Sequence, residues 1–164
     1  MQDETHLGSV ARVTDTAPVR DPFTQTGLEL MQGFAAAPGS VGIAAFLGMA
    51  IESVEDGRVV FTLPTRVEFS NPLGTLHGGL PATILDSAMG CAVHTTLPVA
   101  TSYTTIDLNI TYLRPGALDG TEIRAEGVVV HRGRKLTTAT GTLWDARGKV
   151  LATGTTSCMV LPLG

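Results

Sequence analysis

Charge and aromatic rings are both scarce in this chain: 16% of residues are charged and 5% are aromatic. A basic surplus is missing as well. The formal net charge is −4, which sets aside nucleic acid as a main partner. No apolar run reaches the roughly 18–20 residues of a membrane span, so no membrane association is expected. The opening residues, MQDETHLGSV, hold neither a basic n-region nor an apolar stretch, so no signal peptide is expected and the chain reads as cytoplasmic. Only two cysteines occur, Cys91 and Cys158, with no CxxC pair; His6, His77, His94 and His131 are scattered without ligand spacing. Two buried free thiols follow, with no disulfide, no metal and no other cofactor.

What is present is apolar: 43% of 164 residues. That excludes a disordered chain and suits one domain with a sizeable core, with room for extra burial between subunits. Residues 1–22 are polar, with Pro18 and Pro22, and read as a loose N-terminal arm; residues 23–164 read as the single domain. A short helix is predicted over 24–34, weakened by Gly27 and Gly33. A strand over 45–55 turns at Asp56-Gly57 into a second over 58–63, which Pro64 stops.

A long helix is predicted over 79–94, with Pro81 in its first turn. At about 100° per residue, Leu80, Ile84, Leu85, Ala88, Met89, Cys91 and Ala92 form one broad apolar arc. Asp86 falls outside it, on an edge of small or polar neighbours: Gly79, Thr83, Gly90 and His94. The last of these sits at the helix C-terminus, where a cation suits the dipole, and reads as structural. Strands follow over 101–113, 122–131, 135–144 and 149–161. A hairpin, a long helix and consecutive antiparallel strands predict an α+β domain with one helix laid across one sheet.

The stretch Asn71-Pro-Leu-Gly-Thr-Leu-His77-Gly78-Gly79 enters that helix. A glycine pair at a helix start leaves backbone N–H groups bare, and with the helix dipole these can hold a developing oxyanion. Two turns further on, Asp86 offers a base or a nucleophile. Donors and a carboxylate are a minimal kit for acyl transfer.

With Asn71, Pro72, Gly74, His77-Gly78-Gly79 and Asp86, and with Asp107-Leu-Asn-Ile-Thr-Tyr-Leu-Arg-Pro115 in the following strand, the chain over about 40–162 resembles the hot-dog fold thioesterases. The likeness is greatest to the phenylacetate-pathway, or PaaI-like, branch. The resemblance implies a five- to six-stranded antiparallel sheet wrapped around one long central helix. It also implies a homodimer joined sheet edge to edge, pairing of dimers into a homotetramer, and hydrolysis of acyl-coenzyme A without metal, coenzyme A being part of the substrate.

In such a site the Gly78 N–H would polarise the thioester carbonyl, with Gly79 beside it. Asp86 would attack the carbon or activate a water. Asn71 would orient the water or the acid, and Thr105 would lie beside them, although one step of register would put Thr104 there instead. His77 stands as a general base or as the residue that orders the loop. The run His131-Arg132-Gly133-Arg134-Lys135 is the densest basic stretch, either a solvated turn or a clamp on the coenzyme A phosphates, with Arg114 and Arg147 as lesser candidates.

Gly78 and Asp86 stand eight residues apart, about 12 Å along a helix, whereas reacting atoms come to about 3–3.5 Å. Two antiparallel helices from two chains would close that gap, which predicts a site shared across a dimer. Two other functions fit the same fold: a non-catalytic acyl-coenzyme A sensor and an acyl-thioester dehydratase or hydratase. Phe46, Met49, Phe69, Leu73, Leu76 and Met89 are candidates for an acyl pocket or, equally, for core. The acyl group itself is not legible.

Overall fold

The computed structural model describes residues 21–37 and 42–164; residues 1–20, most of the predicted arm, lie outside it. Two short helices, α1 (Gly27–Ala36) and α2 (Gly42–Leu47), precede the strands β1 (Ala50–Glu55) and β2 (Arg58–Pro64). A single 3-10 turn at Val67–Phe69 leads to the long helix α3 (Gly79–Thr95). Four strands complete the chain: β3 (Thr101–Tyr112), β4 (Glu122–His131), β5 (Leu136–Trp144) and β6 (Val150–Pro162). All six strands form one antiparallel sheet in the order β1-β2-β4-β5-β6-β3. Helix α3 packs against every one of them, which is the α+β arrangement the resemblance implied.

The predicted strand over 45–55 needs correction, because only its second half is extended. Ala45, Phe46 and Leu47 belong to α2. That helix ends where Gly48 adopts a φ of +78° and the Met49 N–H reaches back to the Ala44 carbonyl at 2.8 Å. A glycine in the left-handed region is a common helix stop, and a short apolar run such as this one suits helix and strand alike.

Helix α1 begins at Gly27, three residues later than expected. Thr26 caps it, accepting from the Glu29 N–H, while the Glu29 carboxylate accepts from the Thr26 N–H at 2.8 Å. Gly27 does more than weaken the helix. A Cβ there would lie 1.8 Å from the His94 carbonyl oxygen, so the missing side chain is what lets α1 dock on the C-terminal end of α3. The Gly27 N–H also donates to the Leu97 carbonyl at 3.0 Å.

Helix α3 buries Ile84, Leu85, Ala88, Met89, Ala92 and Val93. Each large member contributes about 1.5–3 kcal/mol of hydrophobic stabilisation. The sheet meets it with a row of glycines in register, Gly127 of β4 opposite Gly141 of β5, itself opposite Gly154 of β6. A Cβ on Gly127 would stand 2.3 Å from the Ala88 backbone, and one on Gly141 would stand 2.9 Å from Leu85 Cδ2. Three bare positions side by side make the trough in which α3 lies, with its N-terminus at one rim and Asp86 near its middle.

Among the described residues, strand β3 is an edge strand that pairs only with β6. Its register breaks once: Thr105 faces Cys158 and Asp107 faces Ser157, leaving Ile106 as an extra residue, a β-bulge.

Candidate active site

The loop before α3 is built on Asn71. Its Oδ1 accepts from the N–H groups of Leu73 (2.9 Å) and Thr75 (3.2 Å), and its Nδ2 donates to Thr75 Oγ1 at 2.9 Å. The Gly74 N–H donates to the Asn71 carbonyl, with Gly74 at a φ of +77°. The Asn71 side chain therefore shapes its own loop while lining the cleft described below. The His77 N–H donates to the Phe69 carbonyl (2.8 Å) and the Leu76 N–H to the Gly116 carbonyl (3.1 Å). These bonds fix the angle at which the chain enters α3.

At the entrance itself the two glycines differ. The Gly79 N–H donates to His77 Nδ1 at 2.9 Å, which occupies that imidazole nitrogen and leaves the ring's proton on Nε2. Gly78 is the N-cap of α3, and no side chain caps the helix there. Its own N–H has no hydrogen-bond partner among the described residues. The structure thus leaves Gly78, rather than Gly79, with the bare amide. Tyr112 of β3 closes over it: the phenol donates to the Gly78 carbonyl at 2.8 Å, and a Cβ on Gly78 would touch the ring at 3.4 Å.

A cleft of about 370 Å³ opens beside this amide, lined by Asn71, Gly78, Tyr112, Leu113 and Arg114 among others. Arg114 is tied to the Val150 carbonyl by its Nη1 at 2.7 Å.

Asp86 is half-buried on the side of α3 that meets β3. Its Oδ1 accepts from Thr105 Oγ1 at 3.0 Å, whereas Thr104 is exposed. The neighbouring acidic protons are held tightly. Burial pushes the Cys91 thiol up to about 12, and the Asp86 charge adds to that shift although a Tyr103 hydrogen bond opposes it. Burial likewise raises Tyr103 and Cys158. Both cysteines are therefore neutral thiols at ordinary pH and offer no thiolate.

His94 is a structural residue, as expected of it. Burial lowers its pKa, its Nδ1 has no partner, and its ring tilts against Tyr103 at 5.6 Å. It packs on Tyr103 at the end of α3, and its lowered pKa disfavours the charged form there.

The basic run lies at that same far end. Arg132, Gly133 and Arg134 line a cleft of about 430 Å³ together with Thr96, Leu97 and Pro98. Arg132 Nη2 pairs with Asp56 Oδ2 at 2.8 Å, while Arg134 has no carboxylate partner among the described residues. Lys135 and His131 are exposed. Of the candidate pocket residues, Met49, Phe69 and Met89 are core, Leu76 is buried and also lines the cleft beside Gly78, and Phe46 and Leu73 are 78% and 88% exposed.

Sequence reasoning assigned no role to Tyr112, although it stands in the run Thr111-Tyr-Leu-Arg-Pro115. Only the fold shows that its strand crosses the mouth of α3.

The sequence profile of the thioesterase superfamily matches residues 73–152. Acyl-coenzyme A thioesterase 13 of Homo sapiens is 34% identical over 107 residues, 65% of this chain and 75% of that protein. A candidate esterase of Halobacterium salinarum is 41% identical over 83 residues, 48% of this chain and 55% of the relative, so the match spans about half of that protein. Among solved structures, a candidate thioesterase of Ralstonia eutropha, related to phenylacetic acid degradation, is 30% identical with a TM-score of 0.70 and covers 78% of this chain and 97% of that one.

Proposed function

Because the chain belongs to the thioesterase superfamily, in its PaaI-like hot-dog branch, we propose that it hydrolyses an acyl-coenzyme A thioester to the free acid and coenzyme A. The observation that carries this reading is the Gly78 N–H, without a partner among the described residues, at the start of the helix that also presents Asp86. The thioester carbonyl oxygen docks on that N–H. Asp86, held by the Thr105 hydroxyl, supplies the attack, either directly on the carbonyl carbon or through a water it deprotonates. Negative charge gathers on the oxygen facing Gly78, where a preorganised amide stabilises it most. Collapse of the tetrahedral species breaks the carbon–sulfur bond, and the sulfur leaves as thiolate to be protonated. On the direct route, water then hydrolyses the acyl–Asp86 anhydride.

One chain holds Gly78 and Asp86 about 12 Å apart along α3, too far for one carbonyl. A second copy antiparallel to the first closes the gap. The unpaired edge of β3, twelve residues long, is the surface on which such a copy would add. The resulting homodimer has two sites, each with Gly78 from one chain and Asp86 from the other. In that pairing the far end of one α3, with Arg132, Gly133, Arg134 and Lys135, projects past the other chain's Gly78 by about 13 Å at about 1.5 Å per residue. There the basic run meets the nucleotide phosphates of the substrate.

Mixed dimers test the shared site. Asp86→Ala and Gly78→Pro chains are each expected to lose most activity alone, and together to regain about one working site per heterodimer. No recovery under verified subunit exchange would refute sharing. Full hexanoyl-coenzyme A hydrolysis by Asp86→Ala would refute the chemistry itself.

A further inference from the structure

Strand β3 serves both ends of the site at once. Thr105 places its hydroxyl on Asp86, and seven residues later Tyr112 places its phenol on the Gly78 carbonyl. In a regular strand side chains alternate, so residues an odd number apart point to opposite faces. Thr105 and Tyr112 nevertheless share the face toward α3. The extra residue at Ile106 makes this happen by shifting the phase of the strand by one. Tyr103 and Thr105 before it, and Leu108, Ile110 and Tyr112 after it, turn to the helix side. Asp107, Asn109 and Thr111 turn to the outer face, opposite Ser157, Thr155 and Thr153 of β6. Bulges recur beside active sites because they re-aim a side chain in this way.

Asp107 hydrogen-bonds to β6 directly beside the bulge. Its Oδ1 accepts from the Ser157 N–H at 3.1 Å, and its backbone carbonyl accepts from Thr156 Oγ1 at 2.7 Å. The carboxylate is exposed on the outer face, and none of its hydrogen bonds reaches Asp86, Thr105 or Gly78. We propose that Asp107 is a positioning residue that locks the Ile106 bulge and thereby sets Thr105 on Asp86 and Tyr112 on Gly78 together. The inference rests on the reading of Asp86 and Gly78 given above.

The test uses the full chain, with release of free thiol from hexanoyl-coenzyme A as the assay and Asp86→Ala alongside. Asp107→Ala is expected to lower kcat by about 10- to 100-fold, the scale of an ångström-sized misplacement, with KM within about twofold. Asp107→Asn keeps the acceptor oxygen and should stay within about threefold of the parent in kcat. In the alanine variant alone, amide exchange at Ser157 should quicken about tenfold or more.

An unchanged kcat in Asp107→Ala, with Asp86→Ala inactive, would overturn the inference and leave the reaction standing. Equal damage from asparagine and alanine would also overturn it, since charge rather than the held amide would then matter. If Asp86→Ala remains active, the underlying reading has failed, and Ser157 exchange alone judges the lock. If Asp107→Ala does not fold, Thr156→Val removes only the hydroxyl on the Asp107 carbonyl. It should show the same loss confined to kcat, and a parental kcat would count against the lock.

Discussion

Two helices in this chain begin in opposite ways. Helix α1 opens on Thr26 and Glu29, which satisfy each other's backbone N–H groups. Helix α3 opens on Gly78, which has no side chain to give, and its N–H is left without a partner among the described residues. A Ser, Thr, Asp or Asn cap contributes about 0.5–2 kcal/mol over a residue that cannot cap, and α3 forgoes it. The far end of α3 shows that the fold can close such backbone groups. There Thr95 Oγ1 donates to the Ala92 carbonyl and accepts from the Gly57 N–H, and α1 docks over the last turn. An open backbone amide at one end and held backbone groups at the other separate the end that faces the reacting carbonyl from the end that α1 packs against.

The sharpest way to break this contrast is to remove the open amide. Gly78→Pro deletes the N–H, and kcat should fall by about 10²–10³, the usual cost of one oxyanion donor. Initial rates at saturating hexanoyl-coenzyme A would read it, and a kcat within a few-fold of the parent would mean that another group holds the oxyanion. Next in size is a lesion at the closed end. Gly27→Ala drives a methyl against the His94 carbonyl, which is backbone and cannot swing aside; overpacking of this kind costs about 1–3 kcal/mol. Urea unfolding would show it as a lower midpoint at unchanged slope. Smaller again, Thr26→Ala removes the α1 cap and should cost about 1 kcal/mol with kcat unchanged. A fall in kcat there would show that α1 reaches the chemistry.

The open end was legible in the sequence because it is local. His77, Gly78, Gly79 and Asp86 lie within three turns of one another, and helix-start chemistry is written in consecutive residues. The turn at Asp56-Gly57 and the four later strands were legible for the same reason. Long-range placement was not. Gly127, Gly141 and Gly154 each look like a weak point in a separate strand, and only the register across β4, β5 and β6 turns them into a trough. The bulge at Ile106 is hidden because β-branched and polar residues stand on both faces of β3, so no break in alternation betrays it. The Thr104-or-Thr105 ambiguity had this origin too, and the hydrogen bond to Asp86 shows which of the two faces α3. The pairing of Arg132 with Asp56 joins residues 76 apart, beyond the reach of any local pattern.

The smallest expected effect again concerns the two ends of α3, each of which carries a histidine. At the open end His77 Nδ1 accepts from the Gly79 N–H. At the closed end His94 Nδ1 is buried with no partner, and burial lowers the pKa of the ring. A histidine depressed in the folded state binds its proton more readily once unfolded. Its contribution to stability is therefore fully present above the unfolded value of about 6.5 and is lost as pH falls through the folded value. Thermal unfolding followed from pH 8 down to pH 5 should show a decline in Tm that begins near the unfolded value. His94→Phe keeps a ring against Tyr103 but cannot take up a proton, so its decline should be shallower than the parent's. Identical slopes in the two proteins would mean that other groups set the acid limb and that burial at the closed end leaves His94 free to charge in place.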